Sequence, residues 1–272
     1  MNSSLSSALP HPGLIDPKLF GVVPASRLQR PAVPLVSSGV TEIDELAGGF
    51  PRGALTEIYG PASSGRSSVL LAALAAATQR EEICALVDST DSFDPYSGAA
   101  TGIDLERLLW IRCGQAGTGT SSQQLIAGSR NAWMQRLEQV LKVTDLLLQG
   151  GGFGMVAVDL ADVPPEFVRR VPLASWFRFC RTIERTPTML LVVEREAHAK
   201  SCAALGLKTN IGQYPAIALT IPEAEDRPAN GQLFCGVSVK FEITRARMNL
   251  KKPVKSVASD VQYKSLSVGT AH

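Results

Sequence analysis

A glycine- and serine-rich loop between an apolar strand and an alanine-rich helix constrains the fold of this chain more than any other feature. Residues 54–59 have the pattern of a buried strand, and residues 67–79 that of a long helix. The loop between them, residues 60–68, has glycines at its first and sixth positions. Glycines let backbone N–H groups converge, and the following helix N-terminus adds positive potential. This junction therefore predicts an α/β fold with a phosphate-binding loop.

The loop departs from the usual GxxxxGK[ST] pattern at one position, where Arg66 replaces the lysine. Arginine keeps the positive charge, but its planar guanidinium is larger than an ammonium group. Nucleotide binding tolerates such a change better than fast phosphoryl transfer, which depends on accurately placed charge. The alternative is a turn that only joins strand to helix.

Two residues are candidates for binding Mg²⁺. Ser67 offers a hydroxyl directly after Arg66, and Asp159 follows four apolar residues at the end of a predicted strand. An acid in that place is typical of a Walker-B motif. The alternative for Asp159 is a cap on the next helix.

The remaining pattern alternates strands and helices, which favours a mainly parallel sheet covered on both faces. After residue 214 the pattern changes to strand-like segments, which predict an antiparallel addition at the sheet edge. We predict strands at residues 83–88, 108–112, 155–159, 188–193, 216–221 and 233–245, and helices at residues 131–149 and 173–185.

The chain divides into three regions. Residues 1–37 hold six prolines among serines and glycines and predict a flexible arm, whose apolar cluster at residues 19–23 is a candidate contact with a partner. Residues 38–250 form the predicted core. Residues 251–272 are polar and predict a disordered tail.

Composition limits the function classes. The 27 basic and 25 acidic residues leave a net charge of +2, too balanced to indicate a nucleic-acid binder by itself. The five scattered cysteines favour buried, reduced thiols. Because no secretory signal or membrane-spanning run is evident, we expect a soluble, cytoplasmic protein without membrane contact.

Two stretches resemble the bacterial RecA recombinases: TEIYGPASSGRSS at residues 56–68 and CALVDSTDSFDP at residues 84–95. The likeness continues more weakly through LLVVER at residues 190–195 to VKFEITRARM at residues 239–248. The resemblance implies a RecA-like P-loop core over residues 38–250 that binds ATP or ADP with Mg²⁺.

The resemblance also implies roles for individual residues. Asp94 would face the adenine, with Tyr96 near the ring, and Arg195 falls where the family has a γ-phosphate-sensing glutamine. Arg245 and Arg247 match paired lysines that reach the neighbouring subunit's nucleotide, although exposed arginines also protect an edge strand. The implied phosphate cradle is Gly60, Ser63, Ser64, Gly65, Arg66, Ser67 and Ser68, with Asp159 as the Walker-B acid.

The chain departs from the family at Thr90, which replaces the general-base glutamate, and Asp91 beside it would point elsewhere. With Arg66, this alters both the charge clamp and the base. The combination is similar to the degenerate ImuA-type relatives of bacterial DNA-damage (SOS) responses, whose opening resembles SSGVTEIDELAGGFPRGALTEI at residues 37–58. The resemblance implies an accessory role in translesion synthesis beside an error-prone polymerase module or other repair proteins.

Several basic residues are candidates for contacts with DNA. Arg169 and Arg170 lie where the family has its first DNA loop, and Arg178, Arg181 and Arg185 would share a helix face. A solvated helix face is the alternative. Lys200 and Lys208 fall in the segment that matches the second DNA loop. We expect weak binding to single-stranded DNA.

Three functions are therefore distinguished: an accessory protein that binds nucleotide and partners, with a second copy of the chain among the candidate partners, a minimal DNA-dependent ATPase or recombinase, and a scaffold without nucleotide. Arg66 and Thr90 argue against the second. The intact glycine spacing, with Ser67 and Asp159, argues against the third.

Overall fold

The computed structural model describes residues 33–113, 130–211, 238–247 and 260–262 of the 272-residue chain. The strands are β1 (Leu35–Val36), β2 (Phe50–Pro51), β3 (Leu55–Tyr59), β4 (Cys84–Asp88), β5 (Leu108–Arg112), β6 (Met155–Asp159), β7 (Met189–Glu194), β8 (Ala203–Ile211), β9 (Ser238–Ala246) and β10 (Asp260–Gln262). The helices are α1 (Thr41–Ala47), α2 (Arg66–Gln79), α3 (Pro95–Ala100), α4 (Arg130–Gly150), α5 (Pro165–Val168) and α6 (Leu173–Ile183).

One eight-stranded sheet organises the described residues, in the order β10-β9-β8-β3-β7-β6-β4-β5. The strands from β8 to β5 are parallel, whereas β9 and β10 add antiparallel pairs at one side. Because parallel strands end at the same edge, the segments that follow β3, β6 and β7 meet there.

The central strands are apolar on both faces, since helices cover each side of the sheet. In β7, Met189, Leu191 and Val193 belong to one core with α1 and α2. Leu190 and Val192 belong to a second core with α4 and α6. This alternation holds β7 between two helical layers.

The predicted fold class is confirmed: a mainly parallel α/β sheet, flanked by helices, with an antiparallel edge. Helix α1 begins at Thr41. The preceding Val40 is the N-cap and has no side-chain cap bond. Asp44 accepts the Ser38 N–H (2.8 Å) and hydroxyl (2.7 Å) instead.

Strand β8 was not predicted. Its sequence, AALGLKTNI, contains a glycine and was assigned to the second DNA loop. Lys208 in fact lies within β8, opposite Tyr59 of β3, so its assignment to a loop was wrong. The strong sheet position next to β3 overrides the weak local pattern. The predicted strand at residues 216–221 lies outside the described residues.

Both ends of the predicted core differ locally from the expected regions. Strand β1 falls within the predicted arm and pairs with β2, and β10 falls within the predicted tail and pairs with β9. Residues 1–32, with the apolar cluster at residues 19–23, lie outside the described residues.

The cysteines in the described ranges are free thiols, and burial raises the pKa of Cys84 to about 12 and that of Cys113 to about 11. Among the described helices, none combines the length and apolar composition needed to cross a bilayer.

Candidate functional site

The loop between β3 and α2 is held so closely that its two glycines have no room for a side chain. A Cβ at Gly60 would lie 2.3 Å from the Thr209 carbonyl oxygen. A Cβ at Gly65 would lie 2.3 Å from Cγ2 of Val239, and the φ of Gly65, +88°, is in the left-handed region. The loop therefore contacts strands β8 and β9 so closely that both positions require glycine.

The serines of the loop have different surroundings. Ser64 is buried, and its Oγ lies 2.7 Å from Oγ1 of Thr209 on β8. Ser63 has a positive φ of 59° and is exposed, and Ser67 and Ser68 stand in the first turn of α2. Ser64 thus fixes the loop, while Ser63 and Ser67 face solvent where a phosphate would lie.

Arg66 is buried, with only 5% of its surface exposed. Its Nη1 donates to the Ala161 carbonyl oxygen, 3.4 Å away, just beyond β6. Burial lowers the pKa of Arg66, while the charges of Asp159 and Asp162 act in the opposite direction. The guanidinium therefore lies inside the protein, beside the turn that follows β6.

Arg195 follows β7 and reaches the same place. Its Nε donates to the Ala161 carbonyl oxygen at 3.0 Å, and its Nη2 lies 3.7 Å from Oδ1 of Asp162. The structure thus brings Arg66, Arg195 and Asp159 together at one edge. Asp162 was missed, because nothing in the local pattern distinguishes it from a solvated loop acid.

The two residues predicted to bind Mg²⁺ both lie at this edge, but their surroundings fit a divalent cation poorly. Asp159 accepts the Ala161 N–H at 2.9 Å, and burial raises its pKa to about 6. The buried cation that acts on it is Arg66. In the described ranges no three His, Cys, Asp or Glu side chains form a metal-binding group. The predicted Mg²⁺ site stays a prediction, and Arg66 argues against it.

The segment after β4 is shaped by Asp88, whose buried carboxylate accepts the N–H groups of Thr90 and Ser92 at 3.2 Å each. Thr90 is thereby held beside the end of β6 and offers only a hydroxyl. Asp91 has a left-handed φ of 58° and pairs with Arg112 at 3.1 Å. Asp91 therefore points toward β5, as expected, and does not replace the missing base.

The predicted adenine residues flank the start of α3. Asp94 caps this helix, since it accepts the Tyr96 N–H at 3.3 Å and the Ser97 N–H at 3.0 Å. Hydrogen bonds from Ser97 and Tyr96 lower the pKa of Asp94. The Tyr96 side chain is 88% exposed and free to stack.

Arg245 and Arg247 are not part of the chain's own loop site. Arg245 lies opposite Gly206, and the Arg247 N–H donates to the Ala204 carbonyl at 2.8 Å, near the start of β8. Both side chains are exposed. Since β8 runs parallel to β3, the pair lies toward the amino ends of the strands, away from residues 60–68.

A buried polar cluster behind the loop was not predicted. The Glu57 carboxylate accepts the N–H groups of His198 (2.6 Å) and Ala199 (2.7 Å), and Glu194 lies 2.8 Å from His198 Nδ1. Burial, followed by the charge of Glu57, raises the pKa of Glu194 well above its usual range. Burial lowers the pKa of His198. An acid inside the apolar strand 55–59 was the signal that could have revealed this cluster.

The predicted DNA-binding arginines do not form one strip. Arg169 pairs with Glu196 at 2.5 Å, and Arg178 pairs with Asp145 at 2.9 Å. Arg185 lies two residues beyond the end of α6 with a φ of 69°, so its placement on a shared helix face was wrong. These ion pairs reduce the charge available to a phosphate backbone.

A strand, a glycine loop and a helix, with an acid at the end of a parallel strand one place further along the sheet, define a P-loop α/β core. The family described as the RecA N-terminal domain matches residues 18–129. The RecA protein of Corynebacterium aurimucosum is 35% identical over 147 residues, which are 52% of this chain and 33% of that protein. That of Corynebacterium jeikeium is 36% identical over 132 residues, 48% of this chain and 30% of that protein. Over these stretches the chain is similar to the RecA proteins, and its α/β fold agrees with that similarity.

The chain spans about a third of the length of the curated relatives that it matches. The matched stretch contains the phosphate loop and the segment of Thr90 and Asp94. Asp159, Arg195 and the arginines of β9 lie beyond residue 129, so their assignment depends on the geometry described above.

We predict that Glu194→Gln stabilises the protein increasingly as pH rises. A carboxyl whose pKa is raised by folding contributes stability below its unfolded pKa and loses it as pH rises toward the folded value. The amide stays neutral, so the gain in the free energy of unfolding over wild type should be larger at about pH 8 than at about pH 5. Urea unfolding at both pH values measures it. Glu184→Gln, at an exposed position just after α6, is the control. A gain that is equal at both pH values would show that Glu194 is ionised in the folded protein.

Proposed function

We propose that this chain is a RecA-related nucleotide-binding protein of bacterial DNA repair that serves as an accessory factor in damage-induced translesion synthesis. It binds ATP or ADP at residues 60–68 and hydrolyses ATP slowly or not at all. The observation that carries the proposal is the position of Arg66: a complete phosphate loop carries a buried guanidinium in place of a mobile ammonium.

Slow hydrolysis follows from two losses at the same edge. A lysine follows the terminal phosphate through the reaction as a compact charge, whereas Arg66 is already bonded to Ala161. Thr90 stands where the general base would act, and its hydroxyl does not accept a proton at neutral pH. Each loss accounts for about 100-fold or more in such mechanisms.

We expect ATP turnover at least about 100-fold below that of an active RecA-type enzyme, with or without single-stranded DNA. Fluorescence titration with N-methylanthraniloyl-ATP should show binding in the same preparation. Steady-state phosphate release measures the turnover.

The double variant Arg66→Lys with Thr90→Glu should gain hydrolysis, because it restores both the charge and the base. Arg66→Lys with Ser92→Glu places the new acid two residues along the same loop and should not. A wild-type turnover near about 0.1 s⁻¹ or faster would instead support the recombinase alternative.

Self-association through Arg245 and Arg247 is part of the proposal. The pair lies away from the chain's own loop, where it would meet the phosphates of a second copy. Their backbones are held by β8, and both side chains are exposed.

Arg245→Ala combined with Arg247→Ala should abolish association in the presence of an ATP analogue and leave the melting temperature nearly unchanged. Removing two exposed arginines costs the fold little. Light scattering with and without the analogue measures the effect, and Thr244→Ala on the same strand is the control. A wild-type protein that stays monomeric with the analogue at every concentration would exclude the trans role.

The translesion role makes a cellular prediction. Deleting the gene from its source bacterium should lower the frequency of mutations induced by ultraviolet light, while homologous recombination stays normal. An accessory factor for an error-prone polymerase acts on mutagenesis and not on strand exchange. A deletion that lowers recombination and leaves mutagenesis intact would replace this proposal with the recombinase alternative.

A further inference from the structure

Arg66 contributes a cation that is already buried where the site residues converge. Its Nη1 binds the carbonyl of Ala161 at 3.4 Å, while the Asp159 carboxylate accepts the N–H of the same residue at 2.9 Å. Arg66 and Asp159 are therefore held on the two polar backbone groups of a single residue. The guanidinium has little exposed surface, so it is not a freely moving side chain.

A second guanidinium, that of Arg195, binds the same carbonyl oxygen at 3.0 Å and lies 3.7 Å from Asp162. Its side chain is 40% exposed, so it forms the outer part of the pair. Two like charges this close are tolerated because Asp159 and Asp162 accompany them. The pair therefore consists of a buried guanidinium, that of Arg66, and a partly exposed one, that of Arg195.

The charge of this pair equals that of one divalent cation. In a P-loop with lysine, Mg²⁺ neutralises the phosphate oxygens and an acid at the end of another strand of the same sheet faces the metal. Here the buried guanidinium of Arg66 is close enough for its charge to act on that acid. A divalent cation at the same place would meet Arg66 as a like charge, in surroundings that screen charge weakly.

We propose that Arg66 takes the place of the divalent cation beside Asp159, with Arg195 as the outer donor, so that the site binds a nucleoside polyphosphate without metal. This inference rests on the proposed nucleotide binding. It assigns Asp159 to Arg66 and not to Mg²⁺, and it leaves the Ser67 hydroxyl to bond a phosphate oxygen directly.

The test is a titration of the full chain with N-methylanthraniloyl-ATP, once with Mg²⁺ and once with excess EDTA. We expect the two Kd values to agree within about threefold. A Kd at least about tenfold lower with Mg²⁺ would overturn the inference and leave the proposed function standing. Absence of binding under both conditions would overturn both.

Arg66→Lys supplies a matched second measurement. The shorter ammonium leaves space beside Asp159, so binding by this variant should become metal-dependent by about tenfold or more. Arg107→Lys, a conservative change before β5 at the opposite edge of the sheet, should retain the metal independence of the wild type. If Arg66→Lys is as metal-independent as the wild type, Arg66 is not the replacement for the cation.

Discussion

The carbonyl oxygen of Ala161 accepts a hydrogen bond from Arg66 and another from Arg195, and this shared acceptor joins three segments of the carboxyl edge. Arg66 comes from the helix after β3, Ala161 from the turn after β6, and Arg195 from the end of β7. Because those three strands lie close together in a parallel sheet, one backbone oxygen joins them. The strand order thus creates a cationic centre that no local segment contains.

The rest of the edge is fixed by backbone groups that bind acids. Glu57 accepts two N–H groups of the segment after β7, and Asp88 accepts those of the segment after β4. Each carboxylate accepts backbone N–H groups that would otherwise lack hydrogen-bond partners in these turns. Arg195 therefore lies in a segment whose backbone is bound by Glu57, and this limits how far Arg195 moves toward a ligand. Such a site is suited to holding phosphates in one arrangement and poorly suited to following them through a reaction.

The sequence predicted the features that a local pattern encodes. Glycine spacing at Gly60 and Gly65 and the apolar runs of β3, β4 and β6 gave the fold class and the place of the site, because each depends on neighbours in the chain. It did not predict β8, whose pattern is weak and whose stability comes from pairing with β3. Nor did it predict Asp162 or the cluster of Glu194 and His198. Those groups matter only through contacts between distant segments.

Arg66 in the loop and Thr90 after β4 have different physical consequences under the proposed function. Thr90 would remove a reactive group and leave the shape of the segment after β4 intact, since its N–H is held by Asp88 whatever its side chain is. Arg66 changes the shape of the site, because a longer, planar cation reaches a carbonyl beyond β6. Restoring the base alone would therefore place a proton acceptor beside a misplaced charge. Restoring the lysine alone would give a well-placed charge without a base. Under the proposed function, the two changes together would separate nucleotide binding, which needs the loop and a cation, from hydrolysis, which needs the cation to be mobile and the base to be present.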